Sequence, residues 1–318
     1  MTVYDLGSPS AQPRTAGSRR GTQASSLPPA PPVSDSALSA AGDLATRVKG
    51  RSAQVRRSLL VRADDSRVTS LMLLLRGRED RTVGRGGDLR LKLLLSLLWV
   101  AGAEPYDVSY PARAWATLLD LREPEKAGAR RVSQALQWLD DHKFARVEQL
   151  IGRPPRVTLL RETGFGEPYL PPGAVNNRLT QQLQNATGLE EKALREQREG
   201  ERYLQLQPAL WTQGWIQTLS GPGLSMLLVL LAEAAGGTDR DLWLTPDLAR
   251  RRYGLSPATR SSGLRELYDL KAVTMKRRTI SRDVFDYRRM RNVYRINWPA
   301  LTDQPTRAQV RPDDPLQG

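Results

Sequence analysis

The hydrophobic pattern divides the chain into two blocks of helices and strands, separated by a polar stretch. In residues 63–162, apolar residues three and four positions apart predict helices, and alternating apolar residues predict strands. The predicted elements are, in order, a helix over Leu89–Ala103, a strand over Tyr106–Tyr110, helices over Pro111–Leu121 and Pro124–Lys143, and strands over Arg146–Leu150 and Arg156–Arg161. The turn sequence between the last two strands predicts a hairpin.

The second block, residues 203–301, repeats the order helix, strand, helix, helix, hairpin. Thr245 and Ser256, each followed by proline, are good helix-capping residues. The predicted elements are a helix over Leu224–Ala235, a strand over Leu242–Leu244, helices over Thr245–Arg252 and Ser256–Leu270, and strands over Val273–Ile280 and Arg291–Trp298. Before them, Trp211 and Trp215 share one face of a short helix and are expected to pack in the core. The chain is therefore predicted to be α+β and mostly helical, with one architecture used twice.

Polar segments surround both blocks. Residues 1–62 are predicted to form a disordered, basic N-terminal tail, rich first in Ser, Pro, Ala and Gly and then in Arg. Within it, the basic residues 44–62 are expected to form a short helix, an arm that touches the DNA backbone, or a solvated linker. Residues 163–202 are predicted to be a polar connector, and residues 302–318 a C-terminal tail. The sequence shows neither a secretory signal nor an apolar run of membrane-spanning length, so a cytoplasmic location without a membrane partner is expected.

The residue types present exclude several kinds of chemistry. The sequence has no cysteine and a single histidine, His142, near the end of a predicted helix. Disulfides, thiolate metal sites, cysteine nucleophiles and paired-histidine metal sites are therefore excluded, and this histidine is not placed for a catalytic triad. We expect a protein that is not an enzyme and uses no metal or cofactor. A nuclease built on carboxylates alone stays open as an alternative.

Positive charge is concentrated in the second block. The net charge of the chain is +14. Residues 250–295 contain 14 Lys and Arg against 4 Asp and Glu, so this segment holds most of the excess. A basic surface that was merely solvated would not need such a concentration, whereas a surface that binds the phosphates of a nucleic acid would.

Two segments resemble the turn and recognition helix of winged-helix DNA-binding regulators. The clearer one is residues 254–273, in which Gly254 precedes the pattern positions Leu255, Ser256, Leu264, Leu267 and Val273. Residues 130–145 resemble the same helix, with pattern positions at Val132, Ala135, Leu136, Leu139 and Phe144. The resemblance implies two winged-helix domains in tandem, residues 63–162 and 203–301, that bind double-stranded DNA.

When the leucine side of each such helix packs inside its domain, the opposite side is free to enter a major groove. The free positions are Arg130, Arg131, Ser133, Gln134 and Gln137 in the first helix, and Ala258, Thr259, Ser261, Ser262 and Arg265 in the second. Arg260 stands where related helices often have a small aliphatic residue, so it either joins the DNA-binding set or lies along the edge of the core. The hairpins are expected to contact phosphates through Arg153, Arg156, Lys276, Arg277, Arg278 and Arg282.

The whole-chain architecture is similar to that of theta-type plasmid replication initiators, which bind repeated origin sites. This resemblance implies replication initiation, with a second copy of the chain and the replication or transcription machinery as further partners. A transcriptional regulator or partition protein that binds an inverted repeat as a dimer is one alternative. A nonenzymatic scaffold that uses one module for protein interaction is another. Direct repeats in the target would favour initiation, whereas a palindrome would favour a regulator.

Overall fold

A computed structural model of the chain describes residues 32–62, 68–76, 86–234, 237, 240–279 and 290–306. Within them the protein is α+β and mostly helical, as predicted. The helices are α1 (Asp35–Arg47), α2 (Ser70–Arg76), α3 (Gly87–Val100), α4 (Ala112–Leu118), α5 (Ala129–Asp141), α6 (Pro172–Leu183), α7 (Gly188–Gly200), α8 (Ala209–Thr212), α9 (Trp215–Thr218), α10 (Gly221–Ala234), α11 (Pro246–Tyr253), α12 (Pro257–Asp269) and α13 (Trp298–Leu301). The strands are β1 (Ala53–Arg56), β2 (Asp107–Val108), β3 (Ala145–Glu148), β4 (Arg156–Leu159), β5 (Tyr203–Leu206), β6 (Val273–Thr279) and β7 (Met290–Ile296).

Some predicted features lie outside the described residues. They are residues 1–31 of the N-terminal tail, the end of the second hairpin with Arg282, and residues 307–318 of the C-terminal tail. A short 3-10 turn over Arg57–Leu59 follows β1, and a π-helical turn over Pro124–Gly128 leads into α5. The predicted helix over 124–143 is therefore an irregular turn followed by a regular helix.

The predicted order of helix, strand, helix, helix and hairpin is present in both blocks. In the first, α3, β2, α4 and α5 are followed by the hairpin β3–β4, and the antiparallel sheet has the order β2-β4-β3. In the second, α10, the single bridging residue Leu242, α11 and α12 are followed by the hairpin β6–β7. Leu242 pairs with Tyr294 of β7. In the first block, β4 therefore lies between β3 and β2. In the second block, β7 lies between β6 and the bridging residue Leu242.

Residues 34–56 correct the prediction of a disordered tail for this part of the chain. Ser34 caps α1, accepting a hydrogen bond from the backbone NH of Ala37 at 3.3 Å, and the helix buries Ala37 and Ala41. β1 pairs antiparallel with β5, so that Ala53 lies opposite Leu206. The hydrophobic pattern does not reveal these elements, because α1 buries only alanines and the partner of β1 lies in the other half of the chain.

The two blocks share one hydrophobic core. Trp99 of α3 and Trp211 of α8 stack with their ring centroids 4.5 Å apart. The indole NH of Trp211 donates a 2.9 Å hydrogen bond to the hydroxyl of Ser96. Trp211 and Trp215 are both buried, which confirms their predicted place in the core, but they lie on two short helices, α8 and α9, and not on one. The blocks are therefore packed against each other and are not joined by the polar connector alone.

A buried group of charged residues ties the connector to the N-terminal strand. Arg56 of β1 is 1% exposed, and its guanidinium binds Glu162 at 2.5 Å and Glu201 at 2.7 Å. It also donates to the backbone carbonyl of Leu170 and lies 5.5 Å from the ring centroid of Tyr169. Buried charges are costly unless they are paired. Arg56 therefore joins the N-terminal segment to the first block through Glu162 and to the connector through Glu201, and the loss of either pairing is expected to be costly.

Candidate nucleic-acid interface

The outer face of α12 carries most of the polar residues that were predicted to read DNA. Leu264 and Leu267 are buried on the inner side. Gly263 allows α12 to approach the start of α10 closely, because a Cβ at this position would collide with the backbone of Pro222. The exposed positions recur at intervals of three and four residues, so they share one side of the helix. They are Ala258, Ser261, Ser262 and Arg265.

Two residues predicted to contact DNA are instead engaged within the protein. Thr259 is half-buried in the first turn of α12, and its hydroxyl lies 2.8 Å from that of the capping residue Ser256. Arg260 is also half-buried, and its Nε and Nη2 donate to the carbonyl of Leu244 at 3.0 and 2.7 Å. Burial lowers the pKa of this guanidinium. Arg260 therefore lies along the edge of the core, the second of its two predicted positions, and is not part of the exposed face of α12 that was expected to read DNA.

α5 presents a second polar face, in the first block. Its inner side buries Val132, Ala135, Leu136 and Leu139. The five predicted contact residues on the other side are all exposed: Arg130, Arg131, Ser133, Gln134 and Gln137. Local hydrogen bonds orient two of them, since the Ser133 hydroxyl donates to the Ala129 carbonyl at 3.1 Å and the Gln137 amide donates to Asp141 at 2.9 Å. The helix thus separates an apolar side from a polar one, as its sequence predicts.

In the described part of the β6–β7 hairpin, cationic side chains surround the carboxylate of Asp241. Asp241 binds Arg278 at 2.6 Å and also accepts a hydrogen bond from Arg295. The hydrogen bond from Arg295, together with the charge of Arg278, holds the pKa of Asp241 below its usual value. Lys276 and Arg277 are exposed in β6. Arg278, one of the predicted phosphate contacts, is therefore also bound to Asp241 within the protein.

Trp243 belongs to this surface, although sequence reasoning did not single it out. Its ring is half-exposed, and the guanidinium of Arg291 in β7 lies 4.3 Å from the ring centroid. The signal in the sequence is the alternation Leu242-Trp243-Leu244, in which the two leucines are buried and the tryptophan faces outward. Because Leu244 also accepts the hydrogen bonds of Arg260, this segment connects the first turn of α12 to the hairpin. The helix and the hairpin of the second block therefore flank one short segment.

In the first block, the hairpin turn is held to the segment before α4, and the π-helical turn before α5 lies beside α4. Ser109, just before α4, donates a 2.9 Å hydrogen bond to the carbonyl of Pro154 in the hairpin turn. Arg113, in the first turn of α4, lies 3.9 Å from Glu125 in the π-helical turn before α5. The predicted phosphate contacts of this hairpin are both exposed, Arg153 in the turn and Arg156 beside two carboxylates.

Lys92 is a half-buried lysine of α3. The ammonium of Lys92 donates to the carbonyl of Gln217 at 3.0 Å, and burial lowers its pKa. The charge of Glu266 on α12 raises this pKa, and the charge of Arg131 on α5 lowers it.

Comparisons with known proteins add no relative, since no protein-family model, curated protein or solved structure matches the chain. In the part of the chain that the structure describes, His, Asp and Glu form no group of three that could hold a metal ion. Each described helix is too short or too polar to cross a membrane. The contacts of the chain itself are therefore the basis for assigning a function.

Proposed function

We propose that the protein binds double-stranded DNA sequence-specifically through two winged-helix modules, residues 63–162 and 203–301. The support is the twofold occurrence of helix, strand, two helices and a hairpin whose last strand is central in the sheet. α5 and α12 are then the recognition helices, and the hairpins β3–β4 and β6–β7 are the wings.

One observation carries this proposal: each recognition helix buries its apolar side and exposes a polar side rich in base-reading residues. A major groove about 12 Å wide admits an α-helix. Arginine is suited to guanine and glutamine to adenine, which assigns these roles to Arg265 and to Gln134 or Gln137. Ala258 is suited to a thymine methyl group. The wing cations Lys276 and Arg153 then bind phosphates beside the groove.

The biological process proposed is plasmid- or phage-type replication initiation at repeated sites. It is supported by the whole-chain resemblance and by the two packed modules. Selection of duplexes from a randomised pool by the full-length chain tests it. Direct repeats in the selected sequences would support initiation, whereas an inverted repeat bound by a dimer would support the regulator or partition protein.

Replacing Arg265 with alanine is expected to relax the base preference, at a cost of roughly 1–3 kcal/mol on the selected site if the contact is bidentate.

Replacing Lys276 with alanine is expected to weaken binding to all DNA sequences alike and to lower the slope of log affinity against log salt concentration by about one. Binding isotherms on the selected duplex and on a scrambled duplex measure both effects.

Arg195→Ala is the matched control for these two substitutions. Arg195 is exposed on α7 and paired with Glu191, and its removal is expected to leave binding unchanged. If Arg265→Ala and Lys276→Ala alter binding in the same way, the assignment of α12 as reader and of the hairpin as phosphate contact is wrong.

A further inference from the structure

The tip of the first hairpin carries an apolar side chain that the fold does not use. Ile151 is fully exposed in the turn between β3 and β4. The next residue, Gly152, has a left-handed backbone with φ +67°, and a Cβ at this position would meet nothing within 4 Å. The turn therefore projects from the protein and presents the isoleucine to its surroundings.

The projecting turn has a firm base. β4, the central strand of its sheet, pairs with β3 through four residue pairs and with β2 on its other edge. Val157 of β4 is buried, and the Pro154 carbonyl on the turn accepts the hydrogen bond from Ser109. Because the turn is already ordered, a side chain at its tip can contact a ligand without the entropy cost of ordering a flexible loop.

Charged side chains of both signs line the first hairpin, and Arg156 among them is paired with the carboxylates of Asp107 and Glu148. Arg146, Arg153 and Arg156 are exposed on the same hairpin. The turn is held to Ser109, just before α4, by the hydrogen bond to Pro154, and the hairpin follows α5 directly in the chain. An isolated exposed isoleucine is unremarkable on most surfaces. Here it stands at the apex of the hairpin that follows the proposed recognition helix, two residues from the exposed Arg153.

We propose that Ile151 enters the minor groove next to the site of α5 and inserts between two base pairs, kinking the duplex. This inference rests on the proposed DNA binding. Proteins that bind the minor groove use isoleucine, leucine or phenylalanine as such wedges, and the cost of unstacking is offset by the extra contacts that a bent duplex makes. Arg153 is positioned to bind a phosphate beside the wedge. A flexible pyrimidine–purine step is the expected point of insertion.

The test uses the full-length chain and the duplex that it selects from a randomised pool. 2-Aminopurine is placed at successive adenine positions to detect unstacking, and fluorophores at the two ends report the bend by energy transfer. The wild-type chain is expected to raise the fluorescence at one step and to shorten the end-to-end distance. Ile151→Ser is expected to abolish both signals and to weaken binding about tenfold, while the salt dependence stays unchanged.

Two variants control this experiment. Ile151→Leu is expected to keep the unstacking and the bend, because leucine is also an effective wedge. Leu189→Ser removes an exposed apolar residue of α7 and is expected to change neither signal. If Ile151→Ser keeps both signals and binds within about twofold of wild type, the wedge is refuted and DNA binding stands. If the wild-type chain selects and binds no duplex, DNA binding itself has failed, and the wedge fails with it.

Discussion

Replacing Arg56 with methionine is expected to lower the free energy of unfolding by about 3–5 kcal/mol, because it leaves buried carboxylates without their cation. The side chains of Glu162 and Glu201 are 0% and 3% exposed, so water cannot take the place of the guanidinium. Glu201 keeps its pairing with Arg161, which makes Glu162 the main source of the loss. Urea denaturation of the full-length chain measures the effect.

A double variant and a surface variant test the cause. Adding Glu162→Gln to Arg56→Met removes the uncompensated charge and is expected to recover part of the loss. Arg113→Ala breaks an exposed ion pair with Glu125 and is expected to change the stability by no more than about 0.5 kcal/mol. If Arg56→Met lowers the free energy of unfolding by less than about 1 kcal/mol, the ion pairs of Arg56 with Glu162 and Glu201 are not needed for the stability of the fold.

Inserting about five base pairs between the two halves of the bound site is expected to weaken binding by about a hundredfold or more. The stacked pair Trp99–Trp211 and the hydrophobic core that both modules share hold them in one relative position. Half a helical turn moves one half-site to the opposite side of the duplex, where its module cannot follow. Hydroxyl-radical footprinting locates the half-sites, and binding isotherms measure the loss.

A longer insertion distinguishes a rigid pair of modules from a flexibly linked pair. About ten additional base pairs restore the phase but separate the half-sites by roughly a further 34 Å. A rigid pair is expected to lose affinity here as well, whereas flexibly linked modules would tolerate the change. If all insertions bind alike, only one module contacts the DNA, which is the result expected for the scaffold alternative.

The helices of the second block could be predicted closely because their signals are local. Thr245 and Ser256 act as the predicted caps, accepting hydrogen bonds from the backbone NH groups of Leu248 and Thr259. Val273 begins the hairpin, where the alternating pattern places it. Caps, prolines and alternation act over a few residues, so a single sequence is enough to locate them.

The remaining features depend on contacts between distant parts of the chain. Arg56 looks in the sequence like its basic neighbours, and only the fold brings Glu162 and Glu201 to it. The sequence allows two positions for the side chain of Arg260, and its hydrogen bond to the carbonyl of Leu244 selects the one along the edge of the core. Local pattern could place each residue on an element, but it could not say which distant group the side chain would meet.

The dependence of DNA affinity on salt concentration tests the central claim most directly. A chain that neutralises about 6–10 phosphates with its recognition helices and wings is expected to lose roughly 10³–10⁵-fold in affinity between about 50 and 200 mM salt. The measurement needs only the wild-type chain, the selected duplex and a titration at each salt concentration. An affinity that does not change across this range, or the lack of any binding at low salt, would contradict the proposed function.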